Sequence, residues 1–195
     1  MDFIVTDTNN VKTSGRPRQF SVSEGVAKVM PLFHARGYDD VGVAELSNTI
    51  GVKATSLYAA YGNKLGLFER ALAHYVECSG GFVGEALSRA NSAEDLLPEL
   101  LRSAAIAYTE HPGRPGCMVL DGELMTSDTQ AAELIRNNII RVRSAIADRF
   151  REFGSNEPER NADLAILLMR GISASARTGS SRESLLDAAD WMATE

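Results

Sequence analysis

Apolar residues recur along this chain in steps of three and four, and the strict alternation expected of strands is absent. Val26, Val29, Met30 and Phe33 fall at i, i+3, i+4 and i+7 and predict a first helix with one buried stripe. Pro31 lies inside it. An interior proline removes a backbone hydrogen bond and costs ~3 kcal/mol in an exposed helix, so a kink is expected there. Residues 41–68 read VGVAELSNTIGVKATSLYAAYGNKLGLF. Val43, Leu46 and Ile50 mark one short amphipathic segment, Gly51 interrupts it, and Leu57, Tyr58 and Tyr61 mark a second. Glycine tolerates the left-handed backbone just past a helix end, and Val52 supplies an apolar contact that sets the angle between the two segments. The pattern predicts a helix-turn-helix whose second helix is held outward as a rigid rod, suited to a major groove.

Asn63 suits the N-cap of a fourth helix carrying Leu67, Phe68, Leu72, Tyr75 and Val76. Gly80, Gly81 and Gly84 weaken its end, and Asn91-Ser92 opens a new unit. Leu96, Leu97, Leu100, Leu101, Ala104 and Tyr108 build a helix that stops at the loop His111-Pro112-Gly113-Arg114-Pro115-Gly116. After a short apolar piece over 117–125, Ile135, Ile139, Val142, Ile146, Phe150 and Phe153 form the longest stripe of the body. Two last helices carry Leu164, Leu167, Leu168, Gly171, Ile172 and Ser175, then Leu185, Leu186, Ala189 and Met192. Their apolar faces exceed what one small body covers. Pairing with the same helices of a second copy would give a four-helix interface, so these residues are the expected homodimer contact. The expected fold class is all-α, with about nine helices.

The 195-residue length allows a sizeable core, and 44% apolar with 24% charged residues is an ordinary soluble mixture. The opening MDFIVTDTNN has acidic groups where a secretory leader needs basic ones, and the apolar run over 164–169 is far short of the ~20 residues of a membrane span. A cytoplasmic protein with no membrane partner is expected. The net charge of −6 divides unevenly: residues 1–70 hold eight basic and seven acidic groups, the rest 12 and 19, and all four lysines lie in the first part. That asymmetry suits a DNA-facing module joined to an acidic body. Arg136, Arg141, Arg143, Arg149 and Arg151 are interspersed with acidic residues and read as a solvated face. Cys78 and Cys117 are too few for a disulfide scaffold and lack metal-ligand spacing. His34, His74 and His111 are scattered and no nucleophile motif occurs, so no enzyme, cofactor, metal or catalytic residue is expected.

The ending LYAAYGNK…LF occurs together with the arm Gly15-Arg16-Pro17-Arg18-Gln19-Phe20, the turn Arg36-Gly37-Tyr38 and the turn Gly51-Val52. At these spacings the first third of the chain resembles the TetR family of one-component transcriptional regulators. The resemblance implies a tail over 1–14, expected to be disordered, and a three-helix DNA-binding head over 15–79 with its helix-turn-helix at 42–61. A helical ligand-binding and dimerisation body would fill 80–195. It also implies a ligand-responsive repressor that binds a pseudo-palindromic double-stranded DNA operator as a homodimer and is released by a small-molecule effector.

Tyr58 and Lys64 match family positions that contact the DNA backbone, where a phenol and an ammonium fix register without reading sequence. Ala54, Thr55, Ser56 and Ala59 are small or hydroxylic and suit base edges. Lys53 stands where the family usually has a capping Ser or Asn; lysine cannot cap, but it places a cation close to the phosphates. Gly42 for the usual Ser or Thr, and Leu65 for the usual Glu, are further departures. Arg16 and Arg18 around Pro17 have the form of a minor-groove arm. Phe82, Tyr108, Cys117, Met118, Met125, Ile139, Val142 and Met169 are candidates to line an effector cavity, with plain core as the alternative for each. Two other readings stay open: a helical dimer acting through protein contacts with a degenerate DNA-binding head, and a thiol-based redox regulator using Cys78 or Cys117.

Overall fold

The computed structural model describes residues 21–192. The tail over 1–14 and the arm carrying Arg16 and Arg18 lie outside the described residues. Among the described residues the chain forms nine α-helices and one 3-10 turn, with no strand. The head holds α1 (Val22–Arg36), α2 (Val43–Ile50), α3 (Ala54–Tyr61) and α4 (Lys64–Cys78). The body holds α5 (Phe82–Arg89), α6 (Ala93–Thr109), the 3-10 turn Gly122–Met125, α7 (Thr129–Glu152), α8 (Pro158–Arg177) and α9 (Arg182–Met192).

Ser21 starts α1 by accepting the Glu24 N–H on its hydroxyl, and the stripe Val26, Val29, Met30 and Phe33 is buried. The helix runs on through Pro31 to Arg36, so the proline removes one hydrogen bond without ending the element. It stops at Gly37, whose φ of +77° and extended ψ of −176° lie in a region that glycine alone occupies readily. Between α2 and α3, Gly51 adopts the left-handed conformation (φ +84°) while the N–H groups of Gly51 and Val52 both bond to the Ser47 carbonyl. Asn63 caps α4 by accepting the Gly66 N–H at 2.8 Å.

α4 joins head to body. Near its start Phe68 meets the rings of Phe33 and Tyr38 edge-on, with centroids 5.1 and 5.0 Å apart. Near its end Tyr75 is buried and meets the His34 ring at 5.0 Å. In the body α6 packs against α5, α8 and α9, and α7 packs against α8 and α4. Leu96, Leu100, Leu101, Ala104 and Tyr108 of α6 meet Ile135, Ile146 and Phe150 of α7 and Ala162, Ala165 and Met169 of α8 in one core.

Three residues of the expected dimer contact are corrected by this packing. Ile172, Leu185 and Ala189 are buried in the chain's own core, because α6 covers those sides of α8 and α9. Leu164, Leu167 and Gly171 are exposed along α8, and Leu168, Ser175, Leu186 and Met192 are half-buried. Trp191, which the periodicity did not single out, is 67% exposed on α9.

Candidate DNA interface and the cavity behind it

α3 has two unlike sides. Leu57 and Tyr61 are buried, and the Tyr61 hydroxyl donates to the Val22 carbonyl at 2.9 Å, which fastens the helix to the start of α1. Ala54, Thr55, Ser56, Tyr58 and Ala59 are all exposed. Lys53 occupies the N-cap position without a side-chain capping bond, so the first N–H groups of α3 remain available to solvent or an anion.

Lys64 begins α4 and is half-buried, with its ammonium 4.1 Å from the centroid of the Tyr38 ring and 3.5 Å from the Asp39 carbonyl. Burial lowers its pKa, against the opposing pull of Asp39, Asp128 and Asp40. The Tyr38 platform was missed in the sequence, although Tyr38 belongs to a recognisable turn. So was Lys28, whose ammonium reaches the Ile50 carbonyl at 3.5 Å and complements the C-terminal end of α2. Arg36 pairs with Glu45 at 2.6 Å and also bonds the Asp40 carbonyl, bracing α1 against α2. The body arginines are engaged within the chain: Arg143 with Asp163, Arg151 with Asp148 and Glu159, and Arg149 with Glu152 and the carbonyls of Leu87 and Ala90.

The head is fastened to the body at the C-terminal end of α1. Arg177, the last residue of α8, donates to the His34 carbonyl at 2.8 Å, to the Ala35 carbonyl at 3.3 Å and to Asp121 at 2.6 Å. The same Asp121 oxygen accepts from the Ser173 hydroxyl at 2.8 Å and the Cys117 N–H at 3.0 Å. His34 lies 3.0 Å through Nε2 from the Gly116 carbonyl; a carbonyl only accepts, so Nε2 carries the proton, and the buried Nδ1 has no partner among the described residues. Burial lowers the His34 pKa to about 4, assisted by the charges of Arg177 and Arg114. Asp39 adds a second fastening, accepting from the Thr126 hydroxyl at 2.9 Å and the Ser127 hydroxyl at 2.7 Å, and these bonds with the Ser127 N–H hold its carboxyl below the ordinary range.

Behind this junction, α4 to α8 line a partly open apolar cavity of about 50 Å³. Phe82, Tyr108, Cys117, Ile139, Val142 and Met169 line it, together with Tyr75, Val76, Val83, Val119, Leu120, Asn138 and Ile166, which the sequence did not mark as cavity residues. Met118 and Met125 are corrected: neither lines the cavity. Met118 is buried core, and Met125 sits against Gly37, where a Cβ would come within 2.6 Å of its own. The volume is well below the ~300 Å³ at which drug-sized sites begin, so an occupant is either very small or displaces a wall.

Cys117 is fully inside, and burial pushes its thiol pKa up, away from the nucleophilic thiolate. Cys78 is exposed at the end of α4, with its sulfur 3.6 Å from His74 Nδ1.

Comparison with known proteins agrees with this fold. Residues 30–71 match the profile of bacterial regulatory proteins, tetR family. The chain is 34% identical over 174 residues to the HTH-type transcriptional repressor BdcR of Escherichia coli (strain K12), covering 89% of this chain and 88% of that one. It is 27% identical to the HTH-type transcriptional repressor ComR of the same strain, over 91% of this chain and 90% of the relative. A solved structure of the TetR family transcriptional regulator CifR, a cysteine mutant complexed with 26-base-pair double-strand operator DNA, superposes with a TM-score of 0.77 at 30% identity, covering 91% of this chain and 98% of that one. The chain belongs to the tetR family of bacterial regulatory proteins.

Proposed function

We propose that this chain is a transcriptional repressor, a homodimer that lays its two copies of α3 into the major groove of a pseudo-palindromic operator and lets go when a small molecule enters its body. The observation that carries this reading is the face of α3. Five neighbouring residues of small or hydrogen-bonding type, Ala54, Thr55, Ser56, Tyr58 and Ala59, stand exposed on a helix whose other side is locked into the head. The likeness to two repressors and to a regulator complexed with operator DNA supports it.

In this reading Ala54, Thr55, Ser56 and Ala59 meet base edges, while Lys53, Tyr58 and Lys64 meet phosphates. Arg16 and Arg18 enter the flanking minor groove. Leu164, Leu167, Gly171 and Trp191, exposed on α8 and α9, pair with a second copy. An effector in the cavity acts only through its preference for one arrangement of the heads, and a tenfold change in DNA affinity requires ~1.4 kcal/mol of that preference. The segment from Cys117 to Asp121 touches both the cavity and the Arg177 fastening, which gives such a preference a physical route to α1.

Selection of genomic fragments, including the DNA flanking the coding region of this chain, tests the reading. It expects a two-fold symmetric site with half-sites about one helical turn or more apart, bound by a dimer. Recovery of no symmetric site, or a monomer on sizing at micromolar concentration, would overturn it.

A further inference from the structure

The cavity holds one group that packing does not explain. Tyr108 lines it and is 2% exposed, yet its hydroxyl has only the Cys117 sulfur, a weak acceptor, beside it and makes no hydrogen bond of ordinary geometry among the described residues. An unsatisfied buried hydroxyl is destabilising, and phenylalanine would fill the same space without that penalty. The neighbouring polar groups are already engaged. The Tyr75 hydroxyl donates to the Cys117 sulfur at 3.5 Å, and that sulfur also receives the Leu120 N–H at 3.5 Å. The Asn138 amide donates to the Leu134 carbonyl at 2.8 Å, and its oxygen accepts from Arg141 at 2.6 Å. Among the described residues no charged side chain lines the walls, so an ionic occupant would lose its hydration with no counter-charge in return.

Resting on the effector reading above, we infer that the cavity takes a small neutral molecule, apolar except for one acceptor oxygen of the ketone, aldehyde or ether kind, and that Tyr108 donates its hydroxyl proton to that oxygen. Burial holds the Tyr108 phenol well above its ordinary pKa, so it is a donor throughout the physiological range. The volume of about 50 Å³ admits only a few heavy atoms as it stands. A five-membered ring therefore requires a wall to turn aside, and we assign this to Phe82, half-buried at the start of α5 just after Gly80 and Gly81, whose ring meets that of Tyr108 edge-on at 5.5 Å.

Calorimetric titration of the full chain with three probes of one shape tests this: cyclopentanone, methylenecyclopentane and cyclopentanecarboxylate. The ketone is expected to bind at least tenfold more tightly than the alkene, and the carboxylate not at all. Tyr108→Phe should lower the ketone to the level of the alkene and raise the melting temperature of the unliganded protein. Equal ketone affinity in wild type and Tyr108→Phe overturns the assignment, as does carboxylate binding as tight as ketone binding. Failure of the ketone to bind either wild type or Phe82→Ala, which opens the mouth, also overturns it. A Tyr108→Phe protein that melts lower than wild type does the same, because the hydroxyl would then already have been held, for instance by a buried water. Operator affinity is measured separately with and without cyclopentanone. A ketone that binds while operator affinity stays unchanged counts against release by the effector and supports the cavity assignment.

Discussion

Replacing Arg177 with methionine keeps the aliphatic stem and removes the charge that ties α8 to α1. Its guanidinium serves one carboxylate and two main-chain carbonyls at 2.6, 2.8 and 3.3 Å, with side-chain exposures of 21% for Arg177 and 10% for Asp121. A charge-assisted hydrogen bond contributes ~1.5–3 kcal/mol, and breaking a buried pair by removing one partner costs ~3–5 kcal/mol because the other charge is stranded. Here Asp121 keeps the Ser173 hydroxyl and the Cys117 N–H, and solvent reaches the arginine side, so the lower end applies. The expected loss is ~3 kcal/mol, which for a chain of this size lowers the melting temperature by about 6–12 °C. Chemical denaturation at one fixed protein concentration measures it, since the proposed dimerisation would make the apparent stability depend on concentration. Asp121→Asn and the double variant complete a cycle, and the pair should show ~1–2 kcal/mol of coupling. A loss below ~1 kcal/mol for Arg177→Met, or strict additivity in the cycle, would refute the claim that this pair fastens head to body.

His34 should make folding pH-dependent. Its folded pKa of about 4 lies below the ordinary 6.5, so its stabilising contribution is complete above the unfolded value and is lost as pH falls through that window. Stability should drop by ~2 kcal/mol between pH 7 and 5, and His34→Gln, which keeps a donor toward Gly116, should remove most of that slope in denaturant melts. Gly37→Ala combines a backbone region closed to alanine with a Cβ 2.6 Å from that of Met125, so ~3 kcal/mol of destabilisation is expected. Gly51→Ala, with nothing within 4 Å of its Cβ, should cost only ~1 kcal/mol, and equal losses at the two sites would contradict the account. Lys64→Ala should weaken binding to every operator sequence and reduce the salt slope by about one, read from binding at several ionic strengths; an unchanged slope would remove Lys64 from the phosphate contacts.

The helices of this chain were legible because each depends on residues close together. The stripe from Val26 to Phe33, the Gly51 turn and the Asn63 cap act within a few positions, and the structure has them as the spacing predicts. The inward turn of Leu57 and the exposure of Thr55 and Ser56 on α3 also followed from local pattern. The last two helices show where pattern runs out. Leu164 and Ile172 both belong to the apolar positions of α8, yet one is 43% exposed and the other 4%. Hydrophobicity says that a residue is better off covered, but only the placement of α6 decides what covers it.

Periodicity, caps and turn residues therefore determined by themselves that the chain is helical and where most of its helices start and stop; the exception is α5, which opens without a side-chain cap after Gly80 and Gly81 and holds Gly84, so the glycines there read only as the weakened end of α4. The quoted motifs determined that its head presents a recognition helix. Tertiary structure decided everything that depends on residues far apart in the chain. Arg177 meets the carbonyl of His34 from the other end of the sequence, and Asp121 collects donors from Cys117, Ser173 and Arg177 at one oxygen. Tyr108 reads in the sequence as one more stripe residue, and only the assembled body shows that, among the described residues, its hydroxyl makes no hydrogen bond of ordinary geometry and has only the Cys117 sulfur beside it at the cavity. The physical reason is that a backbone hydrogen bond in a helix spans four residues, whereas a buried ion pair or a void is defined by whichever elements pack around it.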